Sequence, residues 1–195
     1  SDVCSSDLII TRDHAVHMRL KLAHMRLGLG VGMNDVELVL RSLPSTALRY
    51  HAQDKTARQL AAALQRQNAV KQLLHPAFAS SPGHAHWQQL CATPENPAGA
   101  AAGIFSVVFD APQSQVDDFC NRLQLFKLGY SWGGHISLVM PYALDEMRDL
   151  GRGAVLPGCL VRLCIGLEEA ADLERDVAQA YGQAFGHAWR GQGVH

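Results

Sequence analysis

No stretch of this sequence approaches the roughly 20 apolar residues that a membrane-crossing helix requires, and its start has no basic segment leading into an apolar core of the secretory type. The expectation is a soluble, cytoplasmic chain without a membrane partner. Charge of one sign is also missing: 17 Lys and Arg stand against 18 Asp and Glu, with no long run of either. Without a basic stripe, nucleic acid is not an expected partner. The five cysteines (Cys4, Cys91, Cys120, Cys159, Cys164) are odd in number, scattered and nowhere spaced as CxxC, which argues against a disulfide framework and a thiolate zinc centre. Apolar residues, by contrast, make up 48% of the 195, enough for a substantial core in one large or two small globular units.

Taken in order, residues 1–8, SDVCSSDL, read as the translation of a sequencing-library adaptor and are set aside, with a segment upstream of Ile9 expected to be missing. Ile9 and Ile10 would then be the stump of a strand. Thr11 is placed to cap a helix whose apolar positions Val16, Leu20, Ala23 and Leu27 recur at helical spacing, and Gly28, Gly30 and Gly32 end it. His14, His17 and His24 share that helix, but no carboxylate or cysteine joins them at ligand spacing, so no metal site is expected. Asn34 and Asp35 open a short helix. Ser45 or Thr46 begins a longer one with a core stripe of Ala57, Leu60, Ala61 and Leu64, leaving Lys55, Arg58 and Arg66 on a solvated face.

Residues 69–76 predict a short strand stopped by Pro76, followed by a loop at 80–83. In GHAHW, His84 and His86 read as a helix start with one side chain packed rather than as ligands. After a loop over 92–102, Ile104–Phe109 is a strand with Phe105, Val107 and Phe109 on one face. Pro112 turns the chain into a helix with Val116, Phe119, Cys120 and Leu123 inside. Residues 136–140 read as a strand, and 143–152 as a polar helix or loop. The last helix opens with Glu168, Glu169 and Asp172 and buries Leu173, Val177, Ala180 and Ala184; from Gly186 onward the tail is expected to fray. This order gives an α+β fold, an antiparallel or mixed sheet covered by helices.

Two stretches carry chemistry. CLVRLCIGLEE, from Cys159 to Glu169, reads as a strand with apolar residues on both faces and one charge, Arg162, set into it. A buried guanidinium costs several kcal/mol, roughly, unless an anion meets it. That anion is either an internal carboxylate, Asp110 or Asp145, or the carboxylate of a ligand, which the planar guanidinium fork suits. The second stretch, YSWGGHIS at 130–137, places Tyr130, Ser131 and Trp132 before Gly133 and Gly134. Adjacent glycines mark a tight turn or a backbone that something approaches closely, here either a ligand held by these polar groups or a hairpin around a packed Trp132.

YSWGGHISL, LVRLCIGLEE with its following DL, and GHAHW before GIFSVVF together resemble the C-terminal part of the pyridoxal-phosphate-dependent Cys/Met metabolism family, over about Ile9 to Phe185. Within that family the SWGG form is similar to the β-lyases, while γ-type members tend to carry leucine at the position of Trp132. The resemblance implies the C-terminal domain of a fold-type I transferase-like enzyme over 46–185, a helical remnant of the large cofactor domain over 9–45 and a tail over 186–195. It further implies that Arg162 binds the α-carboxylate of an amino-acid substrate, with Ser131, Trp132 and Tyr130 beside it. The implied reaction of the intact enzyme is β-elimination from cystathionine, in a homo-oligomer, dimer or tetramer. The implied cofactor is pyridoxal phosphate, held mainly upstream together with its Schiff-base lysine. The sequence departs from the family at Met25, where members supply a tyrosine from the neighbouring subunit, and in RSLPST at 41–46. A carboxylate-binding domain without chemistry is the alternative of another class.

Overall fold

The computed structural model describes residues 9–144 and 158–191, and the chain divides into two compact units, 1–47 and 48–195. The first unit holds helix α1 (His14–Arg26) and helix α2 (Met33–Ser42). Asp13, not Thr11, caps α1: its carboxylate accepts the Val16 N–H at 3.0 Å, while Thr11 Oγ1 accepts the N–H of Asp13. A carboxylate beside the positive end of a helix outcompetes a neutral hydroxyl one step further out. Gly28 ends the helix in the left-handed region, at φ +65°. Gly32 caps α2, with Asp35 inside its first turn rather than at the cap. Ile9 and Ile10 form no strand and are exposed; a strand stump without a neighbour has nothing to pair with. Neither helix buries any of its own residues.

The second unit is built on a five-stranded sheet of order β1-β2-β5-β4-β3, where β1 is Val70–Leu74, β2 Ile104–Phe109, β3 Lys127–Leu128, β4 Leu138–Tyr142 and β5 Cys159–Cys164. All pairings are antiparallel except β3 with β4, so the sheet is mixed and the fold α+β. The α-helices of this unit whose residues are all described are α3 (Thr46–Gln65), α4 (His84–Cys91), α5 (Gln113–Arg122) and α6 (Ala170–Phe185). The stripe Ala57, Leu60, Ala61 and Leu64 of α3, with Val116 and Phe119 of α5 and Leu173, Val177 and Tyr181 of α6, closes one core over Phe105, Val107, Val161 and Leu163 of the sheet. Ala184 is only half-buried. Tyr181 and Phe185, fully or nearly buried, fill the space that the expected stripe gave to it.

Two expectations fail for reasons of polar satisfaction. Arg58 is not on a solvated face: its Nε donates to Asp54 at 3.0 Å, Nη2 to the carbonyl of Ala98 at 3.2 Å, and the guanidinium lies over Trp87. Asp54 in turn accepts the Ala101 N–H, so this ion pair fastens the 92–102 loop to α3. Nor does the chain fray at Gly186. Gln67 and the backbone of Arg190 exchange two hydrogen bonds of 3.1 Å, and Trp189 packs edge-on against Tyr181. Strand β4 begins two residues later than the 136–140 reading, with Ile136 exposed in the preceding loop. Most of the polar helix or loop expected over 143–152 lies outside the described residues, which resume at 158.

His75, just past β1, is fully buried between Phe78 and Phe105. Its Nδ1 accepts the Ala77 N–H at 3.2 Å, and its Nε2 has no partner among the described residues. Burial, aided by the charge of Arg58, lowers its pKa to about 4. The unfolded chain therefore binds the proton first: this contribution is complete above about pH 6.5 and declines as pH falls toward 4, by up to about 3 kcal/mol. Urea unfolding at pH 7 and pH 4.5 checks this. The stability difference between the two pH values should be clearly smaller in His75→Asn, which keeps an acceptor but does not titrate; an equal difference in both proteins contradicts it.

Candidate functional site

β5 is the central strand, and its two-residue period sends Val161 and Leu163 into the core while Leu160, Arg162 and Cys164 take the opposite face. Arg162 sits between Ser106 of β2 and Met140 of β4. It is half-buried rather than sealed between two apolar layers, because the packed helices α3, α5 and α6 cover the other face of the sheet. Its Nη2 donates to the carbonyls of Gly129 at 3.2 Å and Ser131 at 3.3 Å. The guanidinium carbon stands 5.8 Å from the centre of the Tyr142 ring, a cation–π contact, and Tyr130 meets Tyr142 edge-on.

The internal-carboxylate alternative fares differently for its two candidates. Asp110 is 70% exposed and faces Lys71 Nζ at 3.8 Å, so it does not neutralise Arg162. Asp145 lies outside the described residues. Among the described residues no carboxylate pairs with Arg162 and no acceptor engages its Nε or Nη1.

The segment 129–137 links β3 to β4 as a loop that is exposed over 132–136 and buried at Ser137, not a hairpin around a packed indole: Trp132 is 60% and Tyr130 66% exposed. Gly133 turns it at φ +75°, a conformation that side chains other than glycine rarely adopt. Of the four residues singled out from the sequence, Ser131 reaches Arg162 through its carbonyl and Tyr130 reaches it by way of Tyr142. Trp132 follows Ser131 with its indole outward.

Several participants escaped the sequence reading. Tyr142 stands two residues beyond Met140 on the Arg162 face of β4, so the strand period could have found it. Cys164, two residues beyond Arg162, accepts the Gly133 N–H at 3.3 Å through a thiol whose pKa burial pushes up. Glu168 accepts from the Ser137 N–H and hydroxyl, both at 2.8 Å, and Gln53 of α3 donates to the Gly134 carbonyl at 2.7 Å. No spacing in the sequence announces these last two. His84 packs against Trp87 and bonds the Pro76 carbonyl, whereas His86 is exposed. Among the described residues no group of three His, Cys, Asp or Glu side chains is placed to hold a metal ion.

Pyridoxal phosphate needs a lysine amine for its aldehyde. Lys21, Lys55, Lys71 and Lys127 are all exposed, with Lys71 turned to Asp110 and Lys127 onto the Gln124 carbonyl. The described residues therefore do not fit the cofactor's aldehyde. Among the described residues the arrangement offers a cation fixed by two carbonyls, with Nε and Nη1 unengaged, beside an aromatic ring and a polar loop.

The model of the Cys/Met metabolism PLP-dependent enzymes matches residues 2–182 of the chain. The chain is 36% identical over 179 residues to cystathionine beta-lyase of Bordetella avium, covering 90% of this chain and 43% of that protein. Cystathionine gamma-synthase of Mycobacterium tuberculosis is 31% identical over 183 residues, covering 93% and 45%. Among solved structures, cystathionine gamma synthase from Xanthomonas oryzae pv. oryzae in complex with cystathionine superposes with a TM-score of 0.74 at 28% identity, over 91% of this chain and 45% of that one. The chain thus spans less than half the length of each of these relatives. A match over nearly the whole sequence, and a shared fold at that level, place the chain in the Cys/Met metabolism family of PLP-dependent enzymes, as part of its fold-type I architecture.

Proposed function

We propose that this chain supplies the substrate-carboxylate site of a PLP-dependent carbon–sulfur lyase that, when intact, cleaves cystathionine by β-elimination to homocysteine, pyruvate and ammonia. The observation that carries the reading is Arg162: a half-buried cation on the central strand, with no carboxylate partner among the described residues and a Tyr-Ser-Trp loop beside it. The bonds to the Gly129 and Ser131 carbonyls fix the plane of the guanidinium before a ligand arrives. Partial removal from water strengthens its attraction for an α-carboxylate. Holding that carboxylate positions the rest of the amino acid, which is where pre-organisation contributes most to rate. The β-elimination assignment rests on the SWGG form and the likeness to the Bordetella avium enzyme. A γ-type synthase or lyase is the second reading, favoured by the Mycobacterium tuberculosis relative. On the family likeness, the intact protein would be a cytoplasmic homo-oligomer.

In the intact protein, Arg162→Ala should lower kcat/KM for cystathionine by the equivalent of about 2 to 5 kcal/mol. Lysine should restore it only in part, because one ammonium cannot hold two loop carbonyls and a carboxylate in a single plane. A near-normal kcat/KM in the alanine variant would make Arg162 a structural residue.

Trp132→Leu should lower β-elimination and raise γ-elimination relative to it, since a bulky indole restricts how the substrate side chain lies near the carboxylate. The measurement is the ratio of pyruvate to 2-oxobutanoate formed from cystathionine. An unchanged ratio in folded enzyme removes the role in reaction choice.

The chain by itself, mixed with pyridoxal phosphate and reduced with borohydride, should show no stoichiometric label at any one of its lysines in a mass-spectrometric map. Complete labelling of a single lysine would overturn that expectation.

A further inference from the structure

Most of the residues that hold the 129–137 loop lie in one short stretch, the end of β5 and the segment after it, 162–168. Arg162 grips the Gly129 and Ser131 carbonyls, and Cys164 takes the Gly133 N–H. Past the end of β5, Gly166 N–H donates to Ser137 Oγ at 2.9 Å, and Glu168 receives both the N–H and the hydroxyl of Ser137. Arg162 thus fastens two points of the loop and Cys164 one, Gly166 and Glu168 meet at Ser137, and between them Leu167 N–H donates to the His135 carbonyl at 2.9 Å and Gln53 to the Gly134 carbonyl at 2.7 Å.

Ser137 is fully buried and uses all its polar groups, since its carbonyl also accepts the Lys127 N–H at 3.0 Å. Its hydroxyl is oriented by two partners, accepting from Gly166 and donating to Glu168. Gly166 leaves no room for a side chain, as a Cβ there would collide with the Glu168 carboxylate and the His135 carbonyl. The loop is thus pinned at its upstream end by the ligand-facing arginine and at its downstream end by a carboxylate.

We infer that Glu168 and Ser137 are a positioning pair: they set the height of the loop over Arg162, and through it the geometry in which the guanidinium meets a carboxylate. This rests on the carboxylate-binding role of Arg162 and adds two residues that act through the loop rather than by touching the ligand. Were the downstream post lost, Ser131 would drift from Arg162 Nη2. The guanidinium would then turn toward water instead of holding its fixed plane.

The test uses the isotope-labelled chain in solution, with L-cystathionine as the probe. Glu168→Ala and Ser137→Ala should each speed amide exchange at Gly133, whose N–H is held by Cys164, by about tenfold or more, the range expected for loss of a charge-assisted hydrogen bond. They should also shift the Arg162 Nε–H signal and weaken the probe about tenfold, while the Phe105 and Leu163 amides keep their protection. Glu168→Gln keeps an acceptor for the Ser137 N–H and should stay within about threefold of the parent. Unchanged loop exchange, or equal loss of protection at Phe105 and Leu163, overturns the pair. If instead the parent's Arg162 signal ignores L-cystathionine, the carboxylate reading fails, and the exchange and Nε–H shifts of the variants still decide the pair.

Discussion

Everything in the larger unit follows from covering its sheet with packed helices on one face. With α3, α5 and α6 all on that side, the two-residue period of each strand sorts its side chains into core and non-core. In β5 the sorting puts Val161 and Leu163 under the helices and Arg162 on the other side. A slip of one residue would drive the guanidinium into an apolar core at a cost of several kcal/mol, roughly, so the charge helps to fix the register of the central strand. The same alternation that stabilises the fold therefore leaves the cation half-exposed on the face that these helices do not cover.

The loops around this sheet share one device, a carboxylate that takes backbone N–H groups in place of water. Asp176 of α6, 6% exposed, accepts from Gln124 and Leu125, each at 2.8 Å. Asp54 of α3 accepts from Ala101, and Glu168 from Ser137. Each bond is charge-assisted and stronger than a neutral one, which suits segments with little apolar surface to bury. Of the three acids, Asp54 alone also pairs with a cation among the described residues, Arg58. That pair sits under Trp87 and ties α4 and the following loop to α3, away from Arg162.

Much of this was legible from periodicity. The stripe of α3, the inward residues of β2 and the inner face of α5 are each an uninterrupted pattern, and all were found where the pattern put them. Arg162 stood out because one charge interrupts an apolar run. Periodicity tells which faces are apolar but not which is covered, and for that reason the arginine was expected to be sealed when it is half exposed. The loop anchors were not legible, because Ser137 with Glu168 and Gln53 with Gly134 meet across 31 and 81 residues of chain. The return of Trp189 and Arg190 to the core was hidden for a similar reason: its partner Gln67 looks in sequence like any polar residue at a helix end.

The likeness to relatives of differing reaction type bears on where chemistry is encoded. A gamma synthase structure superposes on this chain at a TM-score of 0.74, while a beta-lyase is 36% identical to it, so the frame of sheet and helices is common to both. A frame common to two reactions cannot choose between them. The choice has to come from side chains that the frame presents but does not need. Trp132 meets that description: it is largely exposed, lies next to a carbonyl held by Arg162, and contributes nothing to the buried core. A change at Trp132 would leave Arg162, the strand register and the carboxylate-held loop in place, which is why the proposed choice of reaction is assigned to that position and not to the frame.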